Sequence, residues 1–353
     1  MLLLLAEVLK ECKEIDYVFI KESDETFRDF LKGKIKDKII ETKEFIKDLN
    51  KLPFSDKSAY KEGKWSFDSN YLKKPIYILI SSRGCPYRCN FCFKDTFGYV
   101  YRQRSVKNVL DECDEIKRLD GKELFFIDDL FTFNKKWIIK FCREKIKRKN
   151  KLPFKCLGRV DRLDEKILKW LRKAGCHTIS IGVESGEQKV IDWIKKGITL
   201  EQVRDMVKKI HKAGINIESF FIIGHKIDTK ETVEKTIKFA REINTDFPRF
   251  FIFSPYPGSE VWANLPKKLK DKYWLRGIES DLRSVKPVSV CKLAPEELVE
   301  YWHNAHDTVY SNPRYILNVL RSFTQNPFSR AWVKKLINFV GGGILKMHRR
   351  IYK

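Results

Sequence analysis

Between Pro75 and Pro257 the hydrophobic period of the chain switches back and forth between that of a strand and that of a helix, and this limits its fold more than any other feature. Apolar runs at 76–81, 123–127, 154–160, 178–183, 216–223 and 247–253 read as strands buried on both faces. Between them, helical patterns cover 106–119, 135–147, 164–174, 187–195 with 200–213, and 229–243. Such strands separated by amphipathic helices imply a parallel sheet with right-handed crossovers. Six β/α units within about 180 residues fall short of a closed eightfold barrel. The expectation is therefore an α/β fold, a partial (β/α)6 TIM-like barrel.

This core is expected over 75–290. Residues 1–50 carry a helical stretch at 2–13, a strand at 17–20 and a second helical pattern at 24–31. Residues 51–74 mix Lys, Ser, Pro and aromatics without a period and read as a linker. Residues 291–353 read as helical at 294–309, 313–322 and 329–340. From Arg314 onward they hold nine Lys/Arg and no acid.

The formal net charge of +24 admits nucleic acid, anionic lipid or acidic substrates as partners. It also has an ordinary source, because Lys and Glu are abundant while Gln (four) and Met (three) are scarce, as in hyperthermophiles. The 43% hydrophobic content argues against a disordered chain. No apolar run approaches the ~18 residues of a membrane span, and Met1–Leu5 is too short for a secretory signal. A cytoplasmic location is expected. The apolar and basic stretch 333–350 is the segment that would touch an anionic membrane surface.

Six of the nine cysteines stand singly, which is a poor disulfide framework. The other three, Cys85, Cys89 and Cys92, follow the first predicted strand, where barrels place their chemistry. Three thiolates within eight residues suit three corners of a cubane iron–sulfur cluster, leaving one iron open. Structural zinc is the alternative, but it wants four ligands. There is no second Cys pair here and no His before His177.

The spacing Cys85-x3-Cys89-x-Phe91-Cys92 resembles that of the radical S-adenosylmethionine (SAM) enzymes. The likeness implies a [4Fe–4S] cluster whose open iron chelates SAM and cleaves it reductively to a 5′-deoxyadenosyl radical. Further segments resemble the cobalamin-type branch, which includes the anaerobic Mg-protoporphyrin monomethyl ester cyclase and class B methyltransferases. These are Arg102-Gln103-Arg104-Ser105, Phe125–Thr132, Gly158–Leu163, Ile181–Gly186, Ala213–Ile217 and Ser254–Gly258. The resemblance implies that Asp128 or Asp129 stands where other branches use Gly-Gly-Glu to bind the SAM amino group. It adds Phe91, Arg159, Glu184, Ser185 and Ile223 as SAM contacts. After strand five the family's Gly-Leu-Pro-Gly-Glu-Thr is replaced by Gly224-His225-Lys226-Ile227-Asp228-Thr229. His225 is then a candidate substrate-facing acid or base, against a solvated loop residue.

The same branch carries a cobalamin-binding Rossmann domain ahead of its barrel. Residues 11–31 resemble its last strand and helix, while about a hundred residues and the Asp-x-His-x-x-Gly motif have no counterpart here. Cobalamin is not expected from this chain alone. Loss of cobalamin is favoured over a truncated start or a cobalamin subunit on another chain.

The leading expectation is a radical SAM enzyme acting on an unactivated carbon of a lipid, tetrapyrrole or other small metabolite, reduced by ferredoxin or flavodoxin. No residue is assigned to its catalysis. An RNA-modifying, methylthiotransferase-like enzyme ranks second, since charge favours RNA but the tail reads as helical rather than strand-rich. A non-catalytic iron–sulfur relic ranks third.

Overall fold

The computed structural model describes residues 9–10, 12–57, 74–278, 288–315 and 317. The chain first forms a small β-α-β unit. Strand β1 (Val18–Ile20) pairs in parallel with β2 (Ile39–Glu41), and helix Asp24–Leu31 joins them. Tyr17, Phe19, Phe27 and Phe30 pack together on this unit, with ring centroids 4.5 to 6.4 Å apart.

Next come β3 (Ile76–Leu79) and a two-stranded antiparallel ribbon of β4 (Ser82–Arg83) and β5 (Arg102–Gln103). Then follow β6 (Glu123–Phe126), β7 (Phe154–Gly158), β8 (Cys176–Glu184), β9 (Asn216–Ile223) and β10 (Phe247–Ile252). All but the ribbon form one parallel sheet in the order β10-β9-β8-β7-β6-β3, so each successive strand adds beside the last. This is the expected open (β/α)6 architecture.

Helix Lys135–Lys147 shows why the local sequence folds this way. The Asn134 side chain caps it by accepting the Trp137 N–H at 3.1 Å. Ile138, Phe141 and Cys142 recur at helical spacing and are fully buried. Phe141 meets Phe126 and Phe154 edge-on, at 5.5 and 5.9 Å between centroids. Each buried Phe is worth roughly 1.5–3 kcal/mol. Lys145 is buried with them and donates to the carbonyls of Asn150, Leu152 and Ala174, at 2.8, 2.7 and 3.2 Å. Burial pulls its ammonium down to about 8.

The other face of the sheet is inner. Glu218 accepts there from Lys155 at 3.2 Å, Ser180 at 2.6 Å and Arg249 at 2.7 Å. Lys155 also lies over the Phe125 ring, 4.5 Å from its centroid. Phe220 and Phe251 stand on the same face, 6.0 Å apart, and Phe251 is 47% exposed.

The elements expected at 135–147 and 216–223 end where the sequence pattern does. Strand β8 runs further at both ends than 178–183. Of the helical stretch expected at 2–13, residues 9–10 are helical, and 1–8 lie outside the described residues. Of the segment read as a linker, residues 51–57 are described, and Lys57 is the buried one among them. It donates to Glu112 at 2.7 Å, a carboxylate that also accepts from Arg104 at 2.7 Å. Residues 58–73, most of 313–322 and all of 329–340 lie outside the described residues. Helix Pro295–Tyr310 forms as expected and packs on β10 and on helix Lys230–Ile243, donating through Trp302 Nε1 to the Phe250 carbonyl at 2.8 Å.

Candidate active site at the carboxyl ends of the strands

The cysteine loop begins one residue beyond the β4 strand and is anchored from beneath. Asp128, just past β6, is fully buried and accepts from the hydroxyls of Ser81 and Ser82 at 2.7 and 2.6 Å. Burial raises its carboxyl to about 6 against the pull of those hydroxyls. Its second oxygen, Oδ2, has no partner. Asp129, in the turn beyond β6, has the opposite orientation. It is exposed, and its Oδ2 accepts the Gly84 N–H at 2.9 Å.

Gly84 is required at that point. Its φ is +84°, and a Cβ there would stand 2.3 Å from the Val100 carbonyl oxygen. Cys85 follows, buried, with its N–H donating to the Gly98 carbonyl at 3.2 Å. Cys89 and Cys92 are half-buried, and the Cys92 N–H donates to the Cys89 carbonyl at 3.2 Å. The nearby Cys85 and Cys92 thiols raise the Lys94 ammonium against the opposing effect of its burial. Burial raises the Cys92 thiol, and Lys94 opposes that rise.

The loop is held at its crest by Tyr87. The Tyr87 hydroxyl donates to Asp161 at 2.9 Å and accepts from Arg162 Nε. The Arg159 guanidinium stacks 3.6 Å above the Tyr87 ring. Arg159 also donates to Asp161 at 2.9 Å and to the Lys196 carbonyl at 2.7 Å. Arg159 was expected to touch SAM. In the structure it ties the cysteine loop to the turn after β7.

Glu184 closes β8 with a φ of +69° and forms a buried ion pair with Lys196. Gly182 makes room for that pair, since a Cβ there would meet Glu184 Oε1 at 2.2 Å and Lys196 Nζ at 2.5 Å. Ser185 is 1% exposed and already engaged, sharing a hydrogen with Thr236 at 3.0 Å and accepting the Glu187 N–H at 3.1 Å. Ile223 is fully buried at the end of β9, and its carbonyl accepts the Phe253 N–H at 2.8 Å. The altered loop beyond it is closed by Asp228, whose Oδ2 accepts the N–H groups of Gly224 and His225 at 2.9 and 2.8 Å.

His225 is fully buried. It is not a solvated loop residue, and burial with the nearby Lys196 charge drives its imidazole down to about 3. A ring held neutral this way is a poor acid or base near pH 7. Phe91 lies 5.8 Å from it, centroid to centroid.

The sequence reading passed over Tyr87, Lys94, Asp161 and Lys196. Only Lys196 had a local cue, the Lys195-Lys196-Gly197 turn after a helix.

The donor set suits a cluster with a bound cofactor. Three free thiols share one loop. Among the described residues, no three His, Cys, Asp or Glu side chains surround a single metal-ion position. A cubane takes one thiolate per iron and so spreads its ligands. The orphaned oxygen of Asp128 and orphaned nitrogens of His225 leave polar capacity beside the loop.

Residues 79–240 match the family model described as the Radical SAM superfamily. An uncharacterised methyltransferase of Pyrococcus horikoshii is 29% identical over 88% of this chain and 70% of its own length. The anaerobic magnesium-protoporphyrin IX monomethyl ester cyclase of Rubrivivax gelatinosus is 34% identical over 56% of this chain, which spans only 36% of that protein. Among solved structures, the radical SAM methyltransferase TsrM of Kitasatospora setae, with cobalamin and a [4Fe–4S] cluster bound, superposes with a TM-score of 0.53. It covers 67% of this chain and 52% of its own at 18% identity, a likeness of fold.

Proposed function

We propose, from the premise that the chain is a radical SAM enzyme, that Cys85, Cys89 and Cys92 hold its [4Fe–4S] cluster and that SAM binds across the carboxyl ends of β6, β8 and β9. When bound and reduced, that pair supplies a 5′-deoxyadenosyl radical able to take hydrogen from an unactivated carbon.

Each protein group then has a limited task. Asp129, exposed beside Gly84, accepts hydrogen bonds from the SAM ammonium. Glu184, paired with Lys196, accepts from the ribose hydroxyls. Asp128, Tyr87 and Arg159 hold the cysteine loop at its base and crest. Preorganisation of this kind keeps a reactive intermediate away from water and competing partners.

The observation that carries this reading is three free thiols on one loop, bracketed by two carboxylates from different strand ends. Exposed apolar side chains at Ile127 and Phe251 support an apolar or amphipathic substrate, in the range of lipids and tetrapyrroles. The electron donor is a low-potential carrier such as ferredoxin or flavodoxin. The test is anaerobic reconstitution with iron and sulfide, then SAM and dithionite, with 5′-deoxyadenosine as product. Product from the wild type and none from a Cys85→Ala, Cys89→Ala, Cys92→Ala variant supports the reading. Stoichiometric zinc, or a cluster that leaves SAM intact, sinks it.

A further inference from the structure

The strand ends opposite the cysteine loop carry an imbalance of charge that the proposed function leaves unused. Strands of a parallel sheet run one way, so the turns that enter them share one end of the fold. The turns ahead of β6, β7, β8 and β9, at 117–122, 147–151, 172–175 and 208–214, hold twelve Lys/Arg and one acid, Asp120. The whole chain has 71 Lys+Arg to 47 Asp+Glu, so its composition does not account for this ratio. Asp120 is itself paired with Lys122, and two further cations are met from the helices: Arg148 by Asp111 and Asp114 at 2.8 and 2.9 Å, and Lys209 by Asp205 at 2.7 Å. Arg118, Lys149, Lys151, Lys173, Lys208 and Lys212 are exposed, and none forms an ion pair among the described residues.

Strands β6 to β9 are neighbours in the sheet. Adjacent strands lie about 4.8 Å apart, so the four turns form one row. That spacing is below the ~8 Å screening length at physiological ionic strength, and the fields of the row add. Helix C-termini do favour cations, and four helices end here. Their dipoles do not explain the row. Helix Lys230–Ile243 ends at the same face, yet the turn after it sets Arg241 against Glu242 and Asp246. The excess also runs past a helix end, at Lys149 and Lys151.

Apolar groups accompany the charge. Ile146 is 42% exposed beside Lys147. Trp170, half-buried in the last turn of helix Glu165–Lys173, has the Lys173 ammonium 5.4 Å and the Arg143 guanidinium 5.9 Å from its ring centroid. An aliphatic side chain and a Trp among cations suit a bilayer interface, where rings sit at headgroup level and Lys/Arg meet anionic headgroups. A nucleic acid would use the charge and leave Ile146 in water. The described part of the chain also ends at this face. The Tyr310 and Tyr315 hydroxyls donate to the Pro248 and Asp246 carbonyls at 2.6 and 2.9 Å, at the start of β10. The basic sequence from Arg314 onward, nine Lys/Arg without an acid, is thereby tethered beside the row.

We propose that the face formed by the turns ahead of β6, β7, β8 and β9 docks the protein on an anionic lipid bilayer, with the cysteine loop turned away from the lipid. The docking does not depend on the cofactor site and holds for the chain with or without its cluster.

Cosedimentation of the full chain tests it, with vesicles of phosphatidylcholine alone and of equimolar phosphatidylcholine and phosphatidylserine. The wild type is expected to bind the mixed vesicles, to be released by added salt, and to leave the neutral ones. Each Lys near an anionic surface strengthens binding about fivefold, so Lys149→Gln, Lys151→Gln and Lys173→Gln together are expected to weaken it about a hundredfold. A control, Lys136→Gln with Lys189→Gln and Lys226→Gln, removes the same charge from exposed positions at the opposite strand ends. It is expected to change binding by less than about threefold, since screening hides those charges from the lipid. Circular dichroism establishes that each variant folds. If the first variant does not, Lys208→Gln with Lys212→Gln decides, with an expected loss of about twenty-fivefold. Equal loss in the face variant and the control shows that net charge alone binds, and overturns the proposal. Unchanged binding in the face variant does the same, by assigning the binding to another part of the chain. Binding of polyuridylate but of neither vesicle overturns it in favour of nucleic acid.

Discussion

Glu184 combines a left-handed backbone, at φ +69°, with a carboxylate 8% exposed. Neither is comfortable alone, since a non-glycine residue at positive φ is uncommon and a buried charge needs a partner. Lys196 supplies the partner and Gly182 the space. Lys196→Met leaves the carboxylate unpaired, and the expected loss of stability is about 3–5 kcal/mol, read as a lowered urea midpoint. Gly182→Ala should destabilise in the same direction by forcing the pair apart; an unchanged midpoint in both variants would show that the pair carries little weight. Asp128 gives a pH-dependent prediction. Its folded value of about 6 lies above the ordinary 3.8, so folding favours the protonated form. The associated stability is present below about pH 4 and is lost as pH rises through about 6, about 3 kcal/mol in all. Asp128→Asn should remove that fall from a series of urea unfolding curves. Curves of unchanged slope would place the titrating group elsewhere.

At the scale of elements, the cysteine loop depends on a few backbone and side-chain contacts. Gly84→Ala drives a methyl group into the Val100 carbonyl and strains a φ of +84°. The expected result is a folded sheet with at least severalfold less iron retained on reconstitution, seen as normal circular dichroism beside a low iron assay. The strands and helices of the sheet were legible because burial imposes a period: strand 216–223 and helix 135–147 need many consecutive side chains on defined faces. The ribbon of β4 and β5 was not legible, because two residues per strand carry no period. At the candidate site, spacing alone groups the three cysteines, which the structure places on one loop. The site was illegible where a role depends on which face a side chain takes. Asp128 and Asp129 are neighbours of the same type, and only the path of the chain into the turn after β6 separates a buried anchor from an exposed carboxylate. Ser185 and Arg159 show the same limit, since their partners Thr236 and Tyr87 are 51 and 72 positions away in the chain.

At the scale of the molecule, the amino-terminal β-α-β unit meets the β4–β5 ribbon through two acids, Asp24, which bonds Arg83, and Glu22, which holds both arginines. Glu22 is 1% exposed, accepts from Arg83 at 2.7 Å and from Arg102 at 2.5 Å, and also accepts the Ile46 N–H at 2.8 Å. Glu22→Ala removes the shared anion from two guanidinium groups. Hydrogen exchange should quicken both in the 18–41 unit and in the 82–103 segment, since the two are tied at this point. Exchange confined to the amino-terminal unit would show that the ribbon stands without it. Among the described residues no helix is long and apolar enough to cross a membrane. The apolar and basic stretch 333–350, expected to touch anionic lipid, lies outside the described residues.

Glu22 also bears on how this barrel can be rearranged. Arg83 and Arg102 are the paired residues of the ribbon from which the cysteine loop springs, so the front unit acts as the clasp of that loop. A chimera that transplants this barrel behind another front domain must bring an acid to the same point. Otherwise two guanidinium groups repel each other at the loop's base, and a graft chosen only for its own stability would arrive with its iron site sprung open.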